Sequence, residues 1–140
     1  MAYISHHTVR FAEIDAAGVA FFSRVYEWAH WAYERALDDA GIPLGPMLES
    51  SEVLMPLVHS EADYFAPNRL GDHLAIHCQV IERSDRKLVW EFRFIGDDGV
   101  LRSVVRTVHV AVTRDFKPAK RIPTRWMELL KMPDEETAEG

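Results

Sequence analysis

The chain has 140 residues, 48% of them hydrophobic and 27% charged, and a formal net charge of −6. That length suits one domain with a core that needs neither disulfide nor structural metal, and the single cysteine, Cys78, has no partner within the chain. The acidic balance argues against general nucleic-acid binding, no apolar run approaches the roughly 20 residues of a membrane span, and MAYISHHTVRF lacks the features of a signal peptide, so a cytoplasmic protein is expected.

Residues Tyr3 to Ile14 alternate loosely and predict a first strand leading into a turn of Asp15, Ala16, Ala17 and Gly18. The one long helical pattern follows. Phe22, Val25, Tyr26, Ala29, Ala32, Tyr33, Ala36, Leu37 and Ala40 recur at three- and four-residue steps, and Gly41 with Pro43 behind it supplies the stop. Gly41 to Ser51 reads as a loop because it holds Pro43, Gly45 and Pro46. Val53 to Val58 and Glu61 to Phe65 read as a strand with Pro56 at a bulge or edge. Pro67-Asn68-Arg69 and Gly71-Asp72 connect it to a strand with Leu74, Ile76, Cys78 and Val80 on one face. After a turn at Ser84-Asp85-Arg86, Leu88, Trp90, Phe92 and Phe94 share a face against Lys87, Val89, Glu91 and Arg93. Gly96-Asp97-Asp98-Gly99 signals a hairpin, and Val100 to Thr113 is a β-branched strand interrupted by Arg102, Arg106 and His109.

Residues 1–132 are therefore read as one domain and Pro133 to Gly140 as a frayed acidic tail. A strand, one long helix and four more strands predict an α+β protein in which an antiparallel sheet wraps the helix. Exposed sheet edges and an apolar outer face predict a homo-oligomer.

The chemistry points to the turn before the helix. A helix start has unpaired N–H groups and a partial positive end, so it stabilises an anion such as a tetrahedral oxyanion. An ionised Asp15 nearby supplies a nucleophile or a base. Gly18 permits close approach of the backbone, and Ala16, Ala17 and Ala20 leave room for a substrate. The competing reading makes Asp15 a simple helix cap. Glu13 would share the face of Asp15, either as a solvated strand-end acid or as a group that positions water. The seven histidines show no metal-ligand spacing, and no metal is expected.

The order β-α-β-β-β-β, with D-A-A-G-V-A-F-F before the helix and P-L-V-H-S-E-A-D-Y-F-A-P-N-R-L-G-D after it, resembles the hotdog-fold acyl-CoA thioesterases of the 4-hydroxybenzoyl-CoA thioesterase type. Within that group the pattern is most similar to the 1,4-dihydroxy-2-naphthoyl-CoA thioesterases of phylloquinone and menaquinone synthesis. The resemblance implies paired subunits sharing one sheet, dimers paired into tetramers, and an active site between subunits. It implies Asp15 as the catalytic carboxylate and the backbone N–H of Phe22 as oxyanion donor. Coenzyme A would be part of the substrate, and no separate cofactor is called for. Gly18, Tyr26 and His59 are candidates for the substrate pocket alongside Glu13. Arg69, Lys87, Arg114, Lys117, Lys120 and Arg121 are candidates for the nucleotide phosphates, with a solvated charged surface as the alternative. Relatives acting on 4-hydroxybenzoyl-CoA or short-chain acyl-CoA, and a non-catalytic acyl-CoA-binding protein, are the competing functions. A hydratase of this fold would carry a histidine where Ala20 stands.

Overall fold

The computed structural model describes residues 2–130, and the expected tail from Pro133 to Gly140 lies outside the described residues. The chain opens with β1 (Ala2–Thr8) and a 3₁₀ turn (Phe11–Glu13), and then α1 (Arg24–Asp39) and α2 (Leu44–Ser50). It continues through β2 (Val53–Leu54), β3 (Leu57–Tyr64), β4 (His73–Arg83), β5 (Lys87–Gly96), β6 (Leu101–Val110) and β7 (Val112–Thr113), and ends in α3 (Thr124–Leu129). Five strands form one antiparallel sheet in the order β1-β4-β5-β6-β3, and β2 pairs with β7 separately. This is the expected hotdog architecture.

The sheet is held in register by its apolar face. Cys78 pairs with Phe92, Val80 with Trp90 and Ile76 with Phe94, and Phe92 pairs onward with Val105. All are buried, and a one-residue slip would turn the whole set outward. α1 lays Val25, Trp28, Ala29, Ala32, Tyr33, Ala36 and Leu37 on that face. Trp28 packs against Phe94 with ring centroids 6.3 Å apart, and Tyr33 meets Trp90 edge-on at 5.2 Å. The opposite face is not the apolar surface expected, because Arg106 bonds Glu91 at 3.1 Å across it and Arg93 lies 3.7 Å from the same carboxylate.

Several boundaries differ from the sequence reading. The first strand ends at Thr8, and the chain then winds a 3₁₀ turn and crosses a small hairpin before α1 begins at Arg24. Phe22 therefore stands outside the helix and is 62% exposed, while Trp28, absent from the predicted stripe, is buried. The predicted loop from Gly41 to Ser51 contains α2. Pro46 falls in its first turn, where backbone N–H groups lack partners anyway, so proline is tolerated there. Pro56 separates β2 from β3, and its carbonyl accepts the Val110 N–H. The last predicted strand divides into β6 and β7, and α3 was not foreseen.

Candidate active site

Asp15 sits at the tip of a hairpin. Ile14 pairs with Ala20 across it, the Asp15 N–H donates to the Val19 carbonyl at 2.9 Å, and the Gly18 N–H donates to the Asp15 carbonyl at 3.0 Å. Gly18 has φ +81°, a backbone conformation that favours glycine. One carboxylate oxygen of Asp15 accepts the Ala17 N–H at 2.8 Å, and the other has no partner among the described residues. The turn thus orients the acid and leaves an oxygen free on an exposed residue. Ser23, not Asp15, occupies the position before α1. The helix-cap reading of Asp15 is overturned, as is the picture of an acid aimed straight at the helix start.

The hairpin is fastened on several sides. The Ala20 N–H donates to the Asn68 carbonyl at 2.7 Å and the Phe21 N–H to the Glu13 carbonyl at 2.9 Å. Val19 bridges Arg69, and the Arg24 guanidinium donates to the Ala12 carbonyl at 3.0 Å. Beneath it lies Glu13, buried rather than solvated. Its carboxylate accepts the Trp28 indole N–H at 2.6 Å and the Arg10 N–H at 2.8 Å, and lies 2.9 Å from His7 Nε2. Burial by itself raises the Glu13 pKa, but the bonds from Trp28, Arg10 and His7 outweigh it and hold the carboxyl below its usual range. Glu13 ties β1, the hairpin and α1 together.

A cleft of about 360 Å³ opens between the hairpin, the start of α1 and the segment after β3. Its walls include Val19, Ala20, Phe21, Phe22, Val25, Tyr64 and Asn68. The Tyr64 hydroxyl donates to the Phe22 carbonyl and fixes that turn. The Phe22 N–H has no acceptor among the described residues, as an oxyanion donor requires. The far wall is set by Arg102, the extra residue of a bulge where Phe94 faces Ser103 but Ile95 faces Leu101. Arg102 donates to the Pro67 carbonyl and to Asp72, each at 2.9 Å, and its own carbonyl accepts the Phe65 and Ala66 N–H groups.

The remaining predicted residues separate. Tyr26 is half-buried and lines a different groove with His30, Trp31, Leu57 and Ser60. His59 is exposed on β3 with Nε2 3.4 Å from Glu61. Arg69 stands beside the hairpin through its bridge to Val19. Lys87 pairs with Glu82 at 2.9 Å, Arg114 donates to the Leu48 carbonyl at 2.9 Å, and Lys117 lies 3.7 Å from Asp115. Lys120 and Arg121 are exposed. Arg125, from the same basic segment, donates to the carbonyl of Gly41, past the C-terminal end of α1. The helix between the two regions has 16 residues, roughly 24 Å, so within one chain the C-terminal basic cluster and Asp15 lie at opposite ends of it. Tyr64, Asn68 and Arg102 were not singled out for the site from sequence. Arg102 left one signal there, a charge breaking a β-branched strand.

The chain is similar to proteins named 1,4-dihydroxy-2-naphthoyl-CoA hydrolase. The one from Rippkaea orientalis is 31% identical over 126 residues, spanning 86% of this chain and 91% of that protein. The one from Gloeothece citriformis is 30% identical over 129 residues, spanning 91% and 90%. Among solved structures, a 1,4-dihydroxy-2-naphthoyl-CoA thioesterase from Synechocystis superposes with a TM-score of 0.87 at 25% identity, covering 96% of this chain and 98% of that one. The family description "Thioesterase-like superfamily" matches residues 9–135. With that span and those relatives, the chain belongs to the thioesterase-like superfamily.

Proposed function

We propose that this protein hydrolyses an aromatic acyl-CoA, with 1,4-dihydroxy-2-naphthoyl-CoA as the substrate, to the free acid and coenzyme A. Asp15 attacks the thioester carbonyl or activates the water that does so, and the Phe22 N–H receives the developing oxyanion. The observation that carries this reading is the hairpin itself. It holds a carboxylate with one free oxygen beside an apolar cleft whose wall contains an unpaired backbone donor. The named activity of the relatives agrees with it. Flat aromatic walls such as Phe21 and Phe22 suit a flat acyl ring. No separate cofactor takes part, and a cytoplasmic setting fits the single buried cysteine.

The reading includes a homo-oligomer. β3 is an edge of the sheet, and Leu57 and Val58 on it are 41% and 56% exposed, which suits pairing with a second copy. Asp15 does not itself line the cleft of its own chain, as expected of a site completed by a neighbour. In that arrangement the basic C-terminal segment of one copy can serve the Asp15 of another, and His59 can reach a neighbour's substrate.

The test is a panel of acyl-CoAs assayed by thiol release with wild type and Asp15→Asn. Aroyl-CoA turnover should fall roughly 10²–10⁴-fold in the variant while the fold is kept. Wild-type rates in Asp15→Asn would refute the role of the acid, and preference for straight fatty acyl chains would refute the aromatic assignment. Light scattering on the same samples should give at least a dimer; a monomer active at full rate would refute the shared site.

A further inference from the structure

Asn68 is 5% exposed, yet its Oδ1 has no hydrogen-bond partner among the described residues. Buried side-chain acceptors are rarely left so, because an unpaired buried acceptor forfeits its hydration without return. The residue lines the cleft. Its structural duty is discharged by its main chain, whose carbonyl accepts the Ala20 N–H at 2.7 Å, so fastening the hairpin leaves the carboxamide unused. Every other side chain in the cleft wall is apolar except Tyr64, and the Tyr64 hydroxyl is committed to the Phe22 carbonyl. Asn68 is thus the uncommitted polar side chain of an otherwise apolar wall.

The chemistry of the missing partner follows from what an amide oxygen can bind. It accepts and cannot donate, so it calls for a donor. A thioester carbonyl and its sulfur are acceptors only. A hydroxyl on the acyl ring donates, and because a hydroxyl also accepts, it satisfies the carboxamide whichever end faces it. The amide oxygen is already shut off from water in the free protein. A hydroxyl that reaches it therefore gains a hydrogen bond at no new desolvation cost to the amide, and an unsubstituted ring in the same cleft gains none.

We propose that Asn68 contacts a ring hydroxyl of the acyl group and makes the enzyme selective for hydroxylated over unsubstituted aroyl-CoA. This rests on the aroyl-CoA thioesterase reading above. The selectivity arises from the hydrogen bond that a ring hydroxyl supplies to an acceptor otherwise left unpaired.

The experiment compares kcat/KM for 1-hydroxy-2-naphthoyl-CoA, 4-hydroxy-2-naphthoyl-CoA and 2-naphthoyl-CoA in wild type, Asn68→Leu and Asn68→Ala. Wild type should favour at least one hydroxylated thioester by about 10- to 100-fold. In both variants that ratio should collapse to within about threefold of unity. A purely structural role, or an Asn68 that holds only the attacking water, would lower all three substrates together and leave the ratio unchanged, which would overturn the proposal. A wild type without hydroxyl preference would overturn it with no variant needed. Absence of hydrolysis of all three would instead refute the aroyl-CoA reading, so the two failures are distinguishable.

Discussion

Replacing Glu13 by alanine removes the acceptor that Trp28 and Arg10 share inside the protein. Glu13 is 6% exposed, and the Trp28 indole N–H and the Arg10 N–H reach its carboxylate at 2.6 and 2.8 Å. The Trp28 indole N–H left buried and unpaired costs about 1–3 kcal/mol, and losing the part-buried Arg10 bond costs about 0.5–1.5 kcal/mol. Counting those two and leaving aside His7, the expected loss is about 1.5–4.5 kcal/mol, a large part of a small domain's stability. Glu13→Gln keeps the shape and one acceptor oxygen but turns an NH₂ toward donors, so about 1–3 kcal/mol is expected. Denaturant unfolding at pH 7 and one fixed protein concentration measures both. Acidification gives a second reading. The folded Glu13 carboxyl lies below its usual 4.5, so its ionised form contributes stability fully above that pH and loses it as pH falls through the lower folded value. Glutamine has no such slope, and the gap between wild type and Glu13→Gln should therefore narrow in acid. An alanine variant that loses less than about 1 kcal/mol, or a gap that widens on acidification, would refute the account of Glu13 as the buried tie.

His109 gives a separate acid-sensitive limb. It is 2% exposed, its Nδ1–H donates to the Met55 carbonyl at 3.1 Å, and its ring stacks on Tyr33 at 4.7 Å. Burial chiefly pushes its pKa down to about 4, against the bond to Met55 and helped by nearby His30. The unfolded chain takes up this proton first, so stability should fall by up to roughly 3 kcal/mol between pH 6.5 and 4. His109→Gln should flatten that part of a stability–pH profile. Tyr64→Phe removes the donor that fixes the Phe22 carbonyl. Turnover should drop about 3- to 10-fold with thermal unfolding nearly unchanged, and an equal loss in stability and rate would instead mark Tyr64 as structural.

The sheet was legible because its strands obey one rule at a time. Leu74 to Val80 and Leu88 to Phe94 alternate with period two, and the Gly96–Gly99 turn joins the next strand to them. The turn that carries Asp15 was legible because glycine after a run of small residues marks one, and Gly18 does adopt a positive φ. Glu13 was not, since its burial depends on Trp28, which meets it only once β1 and α1 are packed together. Phe22 misled for the complementary reason: its spacing continues the helical stripe, but the chain is still turning there and its ring faces outward. Arg102 and Asn68 come from a bulge and a loop, where no periodicity records which way a side chain turns.

The pairing of β1 with β4, on the far side of α1, β2 and β3 in the chain, bears on the order of events in folding. β4, β5 and β6 join by short turns and can pair early, whereas Thr8 must find His73 across all the intervening chain. Closing so long a loop costs entropy before any contact rewards it. The segment that carries Asp15 is therefore expected to settle last, on a surface that β4, β5 and β6 have already built. Trp28 fluorescence, sensitive to the arrival of Glu13, should lag the formation of β-structure during refolding; simultaneous phases would contradict that order.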